Sequence, residues 1–267
     1  MTQAPTALTR AVDATLARLQ AEPPTPDRLE RQLRHLAKWR SIVLALTLLN
    51  RNGGVIPAGP FKGMRYSVEA SEGGRAPRLL GAYEASLHPV IETVIARAYP
   101  QILDIGCAEG YYAVGVALRM PDSLIHARDS DPRARTLCAA LAQANGVADR
   151  LRIGPEVTPA DFALCQAART FILCDIEGAE AELLDPVQGP GLIEADLLVE
   201  VHEGMRPGLL AALEARFKPT HRITRIDRAL RPDLLPDWSE GLTDLDRLLL
   251  LWEWRASPTP WLWMERR

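Results

Sequence analysis

The chain has 267 residues, 47% of them hydrophobic, and a formal net charge of −3 from 31 basic and 34 acidic side chains. That length holds one α/β domain of ordinary size plus an extension, and so even a charge balance argues against a general nucleic-acid binder, whose surface would be strongly basic. Cys107, Cys138, Cys165 and Cys174 show no C-x-x-C pairing, no apolar run approaches a membrane span, and MTQAPTALTR lacks the apolar core of a signal peptide, so the expectation is a cytoplasmic protein with no membrane partner, disulfide framework or zinc knuckle.

Residues 1–54 predict a helical extension. Val12, Leu16 and Leu19 recur at helical spacing as far as Glu22-Pro23-Pro24. Thr25-Pro26-Asp27 then starts a longer helix with an apolar stripe of Leu29, Leu33, Leu36, Trp39, Val43 and Leu46, stopped by Asn52-Gly53-Gly54. Its other face carries Arg28, Arg31, Arg34, Lys38 and Arg40, either a solvated face or a dock for an anionic partner. The stripe can pack on the rest of the chain or on a second copy, giving a homodimer through these helices; both stay open.

Residues 55–100 predict a cap and linker. Gly59 to Tyr66 read as a short strand or hairpin edge, Glu72-Gly73-Gly74 as a flexible link, and Leu79-Leu80-Gly81-Ala82-Tyr83-Glu84 runs into a helix over 85–98. Glu84 and His88 share a helix face at i, i+4, which makes them a plain surface pair or a polar edge for a ligand.

Residues 101–267 are organised around QILDIGCAEGYY at 101–112. Gln101 to Ile105 form an apolar run between Pro100 and Gly106, and a helical pattern begins after Gly110: strand, glycine turn, helix, the geometry in which backbone N–H groups and a helix N-terminus meet a ligand. The spacing is G-x-x-x-G, with Cys107 where a dinucleotide fingerprint needs its second glycine. Side chains there crowd a pyrophosphate, whereas Asp104, two residues before the first glycine, suits a ligand with an ammonium group; no Gly-Lys-Ser/Thr follows, which excludes a P-loop. A second strand, Leu124 to Arg128, ends in Asp129-Ser130-Asp131-Pro132. An acid about 20 residues past such a loop is placed to hold a ribose, which fits Asp129, while Asp131 reads as a helix N-cap before Pro132.

The run DIGCAEG resembles the first motif of the class I S-adenosylmethionine-dependent methyltransferases. The resemblance implies that Asp104, Gly106, Cys107, Ala108, Glu109, Gly110 and Tyr111 surround S-adenosyl-L-methionine and that Asp129 and Ser130 hold its ribose. It implies that the helix over 85–98 passes above the pocket, bringing Tyr83, Glu84 and His88 to its mouth. It also sets a third strand at Leu151 to Ile153, with Glu156 or Asp161 beside the adenine, although Thr158-Pro159-Ala160-Asp161 is equally a plain helix start. The implied fold is α/β and Rossmann-like: a seven-stranded, mostly parallel sheet with helices on both faces and an antiparallel last strand.

A fourth strand, Thr170 to Cys174, ends in DIEGAE at 175–180, and a fifth, Ala195 to Val201, ends in His202-Glu203-Gly204. Ligands of open parallel sheets bind outside the carboxyl ends of the strands, so these polar ends converge on the glycine loop. DIEGAE together with VEVHE is similar to the D-x-E-G-x-E motif of the FkbM-type methyltransferases, which commonly methylate hydroxyl groups of sugars and secondary metabolites. The likeness spans roughly residues 79–227, and Asp129-Ser130-Asp131-Pro132 departs from that family's Glu-Pro-Asn-Pro. It implies an O-methyltransferase acting on a small-molecule acceptor; an amine or peptide acceptor, and a non-catalytic cofactor-binding module, are the alternatives. An imidazole suits removal of a hydroxyl proton, which makes His202 the expected base, with Glu177 second. Asp175, Glu177 and His202 can instead be imagined around a magnesium ion that acidifies the acceptor. Arg222 to Ile226 predict a sixth strand, Thr243 to Trp252 a helix and Trp261 to Glu265 the last strand, with Trp252, Trp254, Trp261 and Trp263 as edge packing or as walls for a planar acceptor.

Overall fold

The computed structural model describes residues 6–70 and 74–267, so Glu72 and Gly73 of the expected link lie outside the described residues. Two helices open the chain, α1 (Ala7–Gln20) and α2 (Pro26–Asn52). Thr25 caps α2 by accepting from the Arg28 N–H at 3.2 Å, Pro26 fills its first turn, and Gly53 ends it in the left-handed region. The face that α2 buries is not the expected stripe. Ser41, Leu44, Ala45 and Leu48 are buried, whereas Leu29 and Leu33 are 57% and 70% exposed. The helical period was legible; the buried face was set by later elements, for the second half of α2 packs on α3 (Arg75–Leu80) and α10 (Asp244–Leu250), tied by Arg40 Nε to Asp246 Oδ1 at 2.7 Å.

Among the described residues the sheet has six strands, not seven: β1 (Gln101–Ile105), β2 (Leu124–Arg128), β3 (Thr170–Cys174), β4 (Asp196–Glu200), β5 (His221–Ile226) and β6 (Trp261–Arg266), in the order β2-β1-β3-β4-β6-β5. Leu151 and Gly154 touch β2 only as isolated parallel bridges to Ile125 and Arg128. The run between them is too short for a ladder, because a 3-10 turn at Ala148–Arg150 precedes it and Pro155, which has no N–H to donate, follows. The hairpin expected at Gly59 to Tyr66 is likewise reduced to one bridge, Val55 to Arg65.

β1 to β4 are parallel, and β6 runs antiparallel between β4 and β5. The last strand is therefore an interior strand, and Trp261 and Trp263 are core residues at 5% exposure, not edge packing. Side chains alternate between two cores. Ile102, Phe171, Leu173, Leu198 and Trp263 join one, and Leu103, Ile105, Ile172, Cys174, Leu197, Val199 and Met264 join the other. Helices α4 (His88–Arg97), α5 (Tyr111–Arg119), α6 (Pro132–Ala144), α7 (Leu164–Ala167), α8 (Glu180–Leu183) and α9 (Leu209–Phe217) cover the sheet. Among the described residues no helix is long and apolar enough to cross a membrane.

This order places the site. From β1 the chain steps outward to β2 on one side and later returns to β3 on the other, so the strand order reverses at β1. The crevice at such a reversal, outside the carboxyl ends, is where open α/β sheets hold ligands.

Candidate active site

The turn after β1 is tight for a stated reason. Gly106 has φ +83°, and a Cβ there would stand 1.8 Å from the Asp175 carbonyl oxygen, so only glycine lets the ends of β1 and β3 meet. Gly106 and Cys107 donate their N–H groups to the Arg128 carbonyl at 2.8 and 3.0 Å, binding the turn to β2 as well. A cavity of about 640 Å³ opens at these three strand ends, a size that suits a small-molecule cofactor.

Of the residues singled out from the sequence, Tyr83, Gly106, Ala108, Asp129, Ser130, Glu156, Asp175 and Glu177 line this cavity. Asp129 is held ready: its Oδ2 accepts from the Ala108 N–H at 2.9 Å and its Oδ1 from the Asp131 N–H at 2.8 Å. Asp131 is also the N-cap of α6, and Asp161 is occupied by a capping box, accepting from the Thr158 N–H and hydroxyl, each at 2.8 Å.

The other singled-out residues stand behind the wall. Asp104 is 2% exposed under the start of α5; burial, followed by the Asp129 charge, pushes its pKa up to about 7, against the lowering effect of the Ala113 N–H. Cys107 is buried, and Gly110 packs so closely on Cys138 that a Cβ would lie 2.7 Å from its sulfur. Tyr111 sits in an aromatic cluster, edge-on to Phe61 and Tyr83 at 5.3 and 5.4 Å. Glu109 is fully buried, 3.0 Å from Arg78 Nε and accepting from the Tyr66 hydroxyl at 2.7 Å.

At the ends of β3 and β4 the polar residues converge as expected, with additions. His202 is 4% exposed; its Nδ1 lies 2.8 Å from Glu180 Oε1, and its Nε2 faces Glu177 at 3.3 Å, Asp175 at 3.5 Å and Glu200 at 3.7 Å. Burial lowers the imidazole pKa, but the Glu180 bond and the charges of Glu200, Glu180 and Glu177 outweigh it, so the net shift is upward. Asp175 is pushed up to about 7 by burial and the Glu84 charge, and Glu200 to about 8 by burial and the Asp175 charge. Glu84, with φ +46°, lies in a buried network with Tyr112 and Arg255; Arg255 also pairs with Glu200 and Glu253, and burial raises Glu84 to about 7.

Glu200, Glu180, Arg78 and Arg255 were not singled out from the sequence. Glu200 had a signal, since it stands two residues before His202 at the end of one strand, on the same face. Arg78 and Arg255 had none, because their partners are distant in sequence.

Ligand atoms of Asp175, Glu200 and His202 all lie within 4.8 Å of one another. One imidazole with two carboxylates is a donor set for a first-row transition ion rather than for magnesium, which takes oxygen ligands and keeps several waters. The set thus does not fit the magnesium expectation.

No family model matches the sequence, and no curated protein matches it. Among solved structures the chain is similar to the O-methyltransferase TomG from Streptomyces achromogenes, involved in tomaymycin synthesis and in complex with SAM, at 11% identity over 97% of this chain and 99% of that one, TM-score 0.44. It is also similar to an O-methyltransferase from Bacillus cereus in complex with SAH (10% identity, 96% and 97% covered, TM-score 0.43) and to a human methyltransferase 10 domain-containing protein (12% identity, 67% and 80% covered, TM-score 0.42).

Proposed function

We propose that the chain binds S-adenosyl-L-methionine in the cavity at the ends of β1, β2 and β3 and transfers its methyl group to a hydroxyl of a small molecule. The sign of the wall carries this reading. Asp129, Asp131, Glu156, Asp175, Glu177 and Glu182 bring six carboxylates, against the guanidinium groups of Arg78 and Arg128. Such a wall repels a pyrophosphate and attracts a ligand bearing a sulfonium and an ammonium group. The prepositioned Asp129 carboxylate suits a ribose diol, and Ile105, Val157 and Leu183 offer apolar contact to a purine.

The bound cofactor supplies an electrophilic methyl group; the chain supplies alignment and a place for the proton. Asp175 and Glu177 would hold the acceptor oxygen in line with that methyl group, and the sulfonium, on giving it up, would keep the carbon–sulfur electron pair as a neutral thioether. The acceptor proton passes to His202 Nε2, which faces both carboxylates from behind the wall. Glu177 is held at φ +55°, a strained conformation for a side-chain-bearing residue, as befits a group kept in place for function. Positioning of this kind can supply about 7–11 kcal/mol of barrier reduction. The FkbM-type resemblance of DIEGAE and VEVHE adds sugars and secondary metabolites as the first acceptors to try.

Calorimetric titration of the whole chain with S-adenosylmethionine, its demethylated product and NAD tests the cofactor. Binding of the first two and not of NAD is expected; NAD binding alone would overturn the reading. Turnover of acceptor pools with methyl-labelled cofactor is expected to survive EDTA, and loss of activity restored by a divalent ion would transfer the role of His202 to a metal ligand.

A further inference from the structure

The two ends of the sheet carry opposite charge. At the carboxyl ends of β1, β2 and β3 the cavity wall is mostly carboxylate. At the other end of these strands, about 16 Å away along the chain direction, a second cavity of about 1080 Å³ opens where β3, β4 and β5 begin and β6 ends. Among the described residues, Arg97, Arg169, Arg222, Arg266 and Arg267 bring five guanidinium groups to its lining, against the side-chain carboxylates of Glu194, Asp196 and Glu265. The chain as a whole has a net charge of −3, so this concentration of cations is local.

The carboxylates here are already engaged. Asp196 Oδ2 accepts from the Tyr99 hydroxyl and from Arg97 Nη1 at 3.1 Å, and its Oδ1 accepts from the Arg266 N–H at 2.7 Å. Glu265 pairs with Arg97 through Oε1 and with Arg222 Nη2 through Oε2 at 2.6 Å, while Glu194 pairs with Arg266 at 2.5 Å. Asp196 and Glu265 are buried, so these bonds make a fixed floor. Arg169 stands outside it. It comes only within 3.9 Å of Asp196, and it is placed instead by the Tyr99 ring, 4.5 Å from its guanidinium carbon, and by a bond to the Arg97 carbonyl at 3.4 Å. Arg222 meets Glu265 at a single oxygen. A guanidinium has five N–H donors, more than these contacts use on either residue.

Three guanidinium groups, of Arg97, Arg169 and Arg222, thus surround two buried carboxylates, which exceeds what those acids need; exposed ion pairs also add little stability of their own. The planar fork of a guanidinium matches phosphate in two-point geometry, and ring stacking on Tyr99 sets one such fork in place beforehand. The carboxylates cancel part of the charge, so a singly charged anion gains little, and the ligand that fits carries several negative charges close together. The concave shape selects a small molecule over a flat partner surface. We propose that this cavity binds a small phosphorylated molecule with adjacent phosphate groups, the simplest being a diphosphate, through Arg169 and Arg222. The site lies at the far end of the strands from the cofactor cavity and does not depend on the cofactor reading.

The test is calorimetric titration of the whole chain with inorganic pyrophosphate, and with inorganic phosphate for comparison, at constant ionic strength. Pyrophosphate is expected to bind about tenfold or more tightly than phosphate. Arg169→Gln together with Arg222→Gln is expected to weaken pyrophosphate binding about 10- to 100-fold. Both side chains are exposed and Arg97 still pairs with both acids, so the ligand-free melting temperature and binding of S-adenosylmethionine are expected to match the parent. No binding of pyrophosphate, or equal binding of the two anions, would overturn the site and leave an ion-pair network only. Pyrophosphate binding that survives in the double variant would place the ion elsewhere, with the same effect. Binding of anionic phospholipid vesicles or of a single-stranded oligonucleotide in place of pyrophosphate would make the cluster an open docking face and overturn the small-molecule site.

Discussion

Glu180 and His202 are joined by a 2.8 Å contact between Oε1 and Nδ1, and the same oxygen accepts from the N–H groups of Ile176 and Gly178 at 3.3 and 3.2 Å. The bond to His202, its charge and the backbone bonds hold the Glu180 pKa below the usual carboxylate range despite burial. An ionised carboxylate only accepts, so Nδ1 carries the proton and Nε2 becomes the basic nitrogen, turned toward Asp175 and Glu177.

His202→Ala is expected to lower kcat by about 100-fold or more with little change in cofactor affinity, because a base acts in the transition state. The base must be neutral, and its pKa lies above the ordinary 6.5, so kcat rises with pH through a midpoint above that value. Glu180→Gln removes a charge that raises this pKa, and the midpoint is expected to move down. A pH–rate profile for both variants checks the assignment, and an unchanged profile in His202→Ala would make Glu177 the residue to test.

Asp129→Ala is expected to weaken binding of S-adenosylmethionine by about 1.5–3 kcal/mol, roughly tenfold to a few hundredfold. The loss combines the ribose contacts with the Ala108 and Asp131 N–H groups, which are left without their acceptor. Calorimetry on a variant with an unchanged circular dichroism spectrum gives the number.

Gly106→Ala is expected to destabilise the fold by several kcal/mol, since the added carbon meets backbone and not a movable side chain. Gly178→Ala provides the comparison: its φ of +105° is also strained, but the nearest atom to a new Cβ is 3.4 Å away, so it is expected to cost less. Urea unfolding of both variants orders the two effects.

Asp104 makes stability depend on pH. Its pKa is about 7 when folded, against an ordinary value of 3.8 for the carboxyl, so the folded state holds its proton more tightly than the unfolded chain does. That preference favours folding most below about pH 4 and is lost as pH rises to about 7, above which the buried charge is a fixed penalty. Asp104→Asn removes the charge, and its stability relative to the parent is expected to increase from pH 5 to pH 8. Melting temperatures at the two values decide it.

The glycine loop was legible because everything that defines it is contiguous: an apolar run, an acid, and glycines at a fixed spacing. The polar ends of β3 and β4 were legible for the same reason. What escaped depends on distant partners. The period of α2 could be read, yet which face it buries is decided by α10, some 200 residues later. The interior place of β6 follows from pairings with β4 and β5 that no local pattern announces. Leu151 to Ile153 has the composition of a strand without the length to pair, and Glu84, expected beside the cofactor from its position near the loop, is drawn into the Arg255 network by charge.

The close approach of Gly106 to Asp175 bears on how a ligand gets in and out. With the Asp175 N–H bonded to the Ile105 carbonyl at 2.9 Å and the loop N–H groups on Arg128, the floor of the cavity has no slack to part. Arg78 of α3 and Tyr83 line the cavity away from that floor as its roof, and the two sides are expected to differ in how often they open. Amide hydrogen exchange in residues 74–88 is expected to slow markedly when cofactor is added, while residues 101–106 exchange slowly with or without it. A roof as slow to exchange as the floor in the free protein would mean that the ligand enters by another route.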